Sequence, residues 1–157
     1  MATGLTGKQI KDDTLTGDDI DESTLVLPYF INTSYTANAS DEKVYVRLAD
    51  VGSTSSPGVN NKFITPSGGK LKYVLIRSDS TPGNTDIGFH KASDDTPQLN
   101  TTATETQPVY IPTEDRVVKA TFSNATFNAH DIIGVSVNPT NNHGRVNLTI
   151  VLELNIQ

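Results

Sequence analysis

The chain has 157 residues, which is room for one hydrophobic core and an appendage but hardly for two domains. Apolar residues make up 35% and charged residues 19%, the net charge is −6 and there is no cysteine, so a disulfide framework, a thiolate nucleophile and a sulfur-based zinc site are excluded. The Lys and Arg residues are scattered among acids, which argues against nucleic acid as a partner, and no run approaches the roughly 18 apolar residues of a membrane span, which argues against membrane insertion.

The opening Met-Ala-Thr-Gly-Leu-Thr-Gly lacks the basic start and apolar run of a signal peptide, so synthesis in a cytoplasm is expected. A ten-residue unit then repeats: Leu5 to Thr14, Leu15 to Thr24, with Leu25 opening a third copy. Apolar side chains fall at Leu5, Ile10, Leu15, Ile20 and Leu25, a spacing of five that fits neither the 3.6 period of a helix nor the 2 of a strand. Gly7 and Gly17, each after a threonine, mark a turn in each copy, because glycine accepts the positive φ of tight turns. Two such units cannot bury their own Leu and Ile, so the stripe must find neighbours on other copies of the chain or on a larger assembly. A disordered acidic tail is the competing reading, since residues 1–27 carry two Lys against six acids; the regular apolar spacing argues against it. The chain thus divides into a repetitive attachment segment, 1–27, and a β domain, 28–157.

From Pro28 the pattern becomes the alternation of strands. Candidates are Tyr29–Tyr35, Lys43–Leu48, Leu71–Arg77, Asp86–Lys91, Val109–Ile111, Arg116–Phe122, Ile132–Val137 and the long run Val146–Ile156. In that last run Val146, Leu148, Ile150, Leu152, Leu154 and Ile156 share one face and Val151 alone breaks the polar one. Asn138 to Gly144 is a cluster of turn formers, and predicts a long-looped hairpin between the last two strands. About eight strands with no helical stretch between them predict an all-β, antiparallel, jelly-roll-like sandwich. The aromatic residues lie mostly in strands and are expected mainly in core and inter-sheet packing.

Little in the sequence carries chemistry. His90, His130 and His143 are not in a metal-ligand spacing, and no nucleophile elbow is visible, so the chain is expected to be non-enzymatic, with no cofactor and no metal. The carboxylate pairs Asp12-Asp13, Asp18-Asp19, Asp21-Glu22 and Asp94-Asp95 lack the calcium-loop spacing and read as solvated acidic faces. Gly68-Gly69 reads as a hairpin turn rather than a phosphate loop. Polar loops on a rigid sandwich are the usual carriers of recognition, and the loop with Asn138, Asn141, Asn142, His143 and Arg145, together with Ser78–Asn84, is the candidate.

The units Leu5–Thr14 and Leu15–Thr24, of the form Leu-Thr-Gly-x-x-Ile-x-(Asp/Glu)-x-Thr, resemble those near the start of many phage fibre and virion surface proteins. The stretch from Phe122 to Glu153 also resembles the closing strands of small β domains on phage particles. The resemblance implies a homotrimer on the surface of a tailed-phage virion, fixed to capsid or tail proteins by the N-terminal segment, with its β domain outward. A chain this short, almost without a shaft, favours a capsid decoration protein or short head fibre. A tail-fibre component, or a head that binds a host surface glycan, is the alternative.

Overall fold

The computed structural model describes residues 25–36, 42–58, 61–93 and 98–155; the repeat positions Leu5, Gly7, Ile10, Leu15, Gly17 and Ile20 and the acid pairs lie outside them. The described chain is all β: β1 (Val26–Thr36), β2 (Val44–Val46), β3 (Ser53–Thr54), β4 (Phe63–Ile64), β5 (Gly69–Ser78), β6 (Gly83–Ala92), β7 (Glu105–Ile111), β8 (Val118–Thr121), β9 (Thr126–Phe127), β10 (Ile132–Pro139) and β11 (Arg145–Asn155). Pairing of β1 begins at Val26, opposite Asn155, two residues ahead of the compositional break at Pro28.

Two antiparallel sheets form a sandwich. The first runs β1-β11-β5-β8, with β9 also on β5; the second runs β3-β2-β10-β6-β7, with β4 also on β10. Between them lies one core. Val146, Leu148, Ile150, Leu152 and Leu154 of β11 face inward as their alternation predicts, with Val74 and Ile76 of β5, against Ile87 and Phe89 of β6 and Ile133, Val135 and Val137 of β10. Burial of each such side chain contributes roughly 1.5–3 kcal/mol. Val151, the exception on the polar side, points outward yet is buried, because Phe30 of β1 and Tyr73 of β5 flank it in register.

The predicted hairpin between the last two strands does not form. β10 pairs with β2, β4 and β6 in the second sheet, while β11 pairs with β1 and β5 in the first. The turn-forming stretch between them is an arch that carries the chain across the core. Pairing across sheets is decided by partners far away in sequence, and a loop of turn formers suits an arch as well as a hairpin.

Candidate assembly surface

Six consecutive residues at the start of β1 and just before it are exposed: Leu25, Val26, Leu27, Pro28, Tyr29 and Phe30. Every one is apolar or aromatic. From Ile31 onward the same strand takes up the expected alternation, with Ile31, Thr33 and Tyr35 buried. The difference lies in what the other sheet covers. The inward-facing Tyr29 lies 5.5 Å from the ring of Phe63 and is still 42% exposed, and the neighbouring Ile64 is itself exposed. Leu25, the last member of the five-residue stripe, lies at the head of this run.

Pro28 shows how the strand is built. The carbonyl of Ser34 accepts the N–H of Gly52 rather than one from β11, so Ser34 and, in steps of two, Asn32, Phe30 and Pro28 point their main-chain groups at the outer edge. Proline there removes no ladder bond, as suits an edge strand. The turn after Arg47 covers that edge near Ser34, with Thr33 Oγ1 donating to the carbonyls of Arg47 and Asp50 at 2.8 and 3.0 Å.

The outer face of the first sheet continues this surface. Phe30, Val151 and Tyr73 form one row across it, with Lys119 Nζ 4.1 Å from the Tyr73 ring centroid. One row further on is an open depression of about 310 Å³, lined among others by Asn32, Thr149, Leu75, Arg77 and Val117. On the other side of the Phe30–Val151–Tyr73 row, Glu153 is held by Lys70, at 3.0 Å, and by Lys72, and the hydrogen bonds from Lys72 and Lys70 keep its carboxyl below the usual carboxylate range.

At the other end of β1, where Thr36 lies opposite Arg145, the two candidate recognition loops come together. Asn141 N donates to Pro82 O, Thr140 N to Asn84 O and Ser80 Oγ to Asn142 O, at 3.1, 2.8 and 2.7 Å. Arg145 N donates to Asp79 Oδ1 at 2.6 Å. Asn138, Asn141, Asn142 and Arg145 are exposed, as a recognition role requires. His143 is not: it is 0% exposed, its Nδ1 lies 2.6 Å from Tyr35 Oη and its Nε2 3.1 Å from the carbonyl of Glu42. It joins the arch to β1 and cannot be read from solvent. Burial pushes the Tyr35 phenol far up.

A second buried histidine escaped sequence reading as a network. His90 Nε2 lies 2.8 Å from Ser136 Oγ, and Nδ1 lies 2.8 Å from the carbonyl of Asn100. That carbonyl can only accept, so Nδ1 carries the proton and Nε2 accepts from the serine hydroxyl. Hydroxyl and base are in line, yet His90 and Ser136 are buried at 0% and 1% exposure, beneath the strap that holds Leu99 and Asn100. The depression lined by Ser136 measures only about 90 Å³, against roughly 300 Å³ or more for an ordinary ligand pocket. The pair fastens the strap to the second sheet. Burial lowers the His90 pKa, which favours the neutral ring that this hydrogen bonding requires.

Among the described residues no group of three or more His, Asp or Glu could hold a metal ion, and no helix is long and apolar enough to cross a membrane. No protein-family model matches the chain, and no curated protein does. Among solved structures it is similar to a family two carbohydrate esterase from Cellvibrio japonicus, with a TM-score of 0.30 and 12% identity. That match takes in 83% of this chain and 35% of the esterase, and a likeness so distant carries no argument about function.

Proposed function

We propose that this chain is a non-enzymatic structural protein of a tailed-phage virion, a capsid decoration protein or short head fibre. The N-terminal stripe Leu5, Ile10, Leu15, Ile20 and Leu25 holds it to the particle and to its copies, and a homotrimer of jelly-roll domains stands outward. The observation that carries this reading is the polarity of β1. One end of the strand is an exposed apolar run continuous with the stripe, and the other end, about 33 Å away at ~3.3 Å per residue, is ringed by exposed polar loops. Such a molecule has a base and a tip. The strand orders β1-β11-β5-β8 and β2-β10-β6-β7 support the jelly-roll reading, since the chain crosses between the sheets at each step along these eight strands except from β6 to β7, as in paired Greek keys.

A receptor- or glycan-binding head is the second reading, favoured by the joining of the Ser78–Asn84 and Asn138–Arg145 loops into one polar surface. Cryo-electron microscopy of particles with and without this gene separates the two. Loss of threefold density from the capsid shell is the expected result. Loss at the tail alone would replace decoration with a tail-fibre role, and unchanged particles would refute a virion role altogether.

A further inference from the structure

We propose that the exposed apolar half of β1 in one copy packs edge-to-face on the outer surface of the first sheet of the next, with Phe30 seated in the depression beside Leu75 and Val117. This deepens, and rests on, the homotrimer reading above. Both halves of the contact are on the same chain. Phe30 is 57% exposed at the edge of the sheet, and Val117, also 57% exposed, borders a hollow of about 310 Å³ on its far side. The hollow has an apolar floor and wall in Leu75 and Val117 and a neutral amide and hydroxyl rim in Asn32, Asn147 and Thr149, with Arg77 at its margin already paired to Asp115 at 2.8 Å. A phenyl ring fits such a hollow without stranding a charge. The hollow reaches back to Asn32 and Thr33 of β1, but its apolar part, Leu75 and Val117, lies two and three strands from Phe30, so a knob from one copy seated there makes a head-to-tail contact, which closes into a ring when the rotation allows.

Charge says that the occupant is another copy. The outer face of the first sheet and the turns that border it carry Lys70, Lys72, Arg77, Arg116, Lys119 and Arg145 against Asp79, Glu114, Asp115 and Glu153, an excess of two positive charges on a chain whose net charge is −6. The segment that leads into Leu25 carries two Lys and six acids. With Phe30 of one copy seated on its neighbour, the last acid of that segment, Glu22, is only eight residues upstream in sequence, within reach of the basic face.

The chain has no native cysteine, so a Phe30→Cys, Val117→Cys double variant tests the contact directly. The two positions are separated by three strand spacings, about 14 Å, too far for a bond within one chain, which needs Cα atoms within roughly 7 Å. Mild oxidation of the full-length protein is expected to give linked species of two and three chains on a non-reducing gel, and neither single variant should give them. Linkage by Phe30→Cys alone would overturn the edge-to-face arrangement, as would no linkage in a protein that light scattering shows to be trimeric. A wild-type protein that scatters as a monomer at all concentrations would instead refute the trimer itself. Phe30→Asp supplies an independent check: it should lower the mass in solution toward one chain while leaving the circular dichroism unchanged, and a retained trimer would count against the contact.

Discussion

At the scale of single residues, the two buried histidines hold opposite tautomers, and the partners dictate which. His143 Nε2 faces the Glu42 carbonyl and so carries the proton, leaving Nδ1 to accept from Tyr35. Tyr35→Phe leaves that nitrogen buried without its donor and should cost about 1–3 kcal/mol, read as a lower midpoint in urea denaturation; an unchanged midpoint would mean that water reaches the ring. His90 makes the complementary prediction for pH. Burial lowers its folded pKa below the unfolded 6.5, so as pH falls below that value the unfolded chain takes up a proton that the folded chain refuses. Stability should therefore fall with pH just under 6.5 and level off once pH passes the folded pKa. The His90→Gln variant should flatten that segment of the profile, and an identical slope in both proteins would show that another group produces it. Neither network was legible in the sequence. His143 sits among turn formers and reads as a loop residue, and its partner Tyr35 is 108 positions away.

At the scale of elements, alternation revealed the strands but not their company. The inward stripe of β11 was legible because one buried face leaves a period of two, and the long strands were found near their observed places. The two-residue β3, β4 and β9 were not, since two residues carry no period. The apolar start of β1 was misleading in the other direction: Tyr29 and Phe30 suggest core, yet Tyr29 faces inward beyond the cover of the opposite sheet and Phe30 faces outward. Gly69 shows an element-level constraint of another kind. A Cβ there would overlap the carbonyl oxygen of Glu153, a backbone atom held in the paired ladder of β5 and β11. Gly69→Ala should cost about 1–3 kcal/mol through overpacking, while Lys70→Ala next to it should cost far less, because the Lys70–Glu153 pair is solvent-screened. Equal midpoints for the two variants would show that the ladder at Gly69 yields freely.

At the scale of the whole molecule, the proposed division into an anchor and a head requires that the sandwich fold without help from the stripe. Among the described residues the core runs from Ile31 to Leu154, and Leu25, the one stripe position among them, lies exposed at the apolar end. Attachment and folding should therefore separate. Changing Ile10 and Ile20 to Asp in the full-length protein adds two charges where the proposed contact is apolar, and should abolish cosedimentation with particles that lack this protein, while the thermal melt of the β domain stays in place. Retained cosedimentation would remove the stripe from attachment and transfer that role to the exposed run Leu25 to Phe30. A lowered melting temperature would show instead that the repeats are part of the domain's own stability, which would contradict the division of the chain into an anchor and a freely folding head.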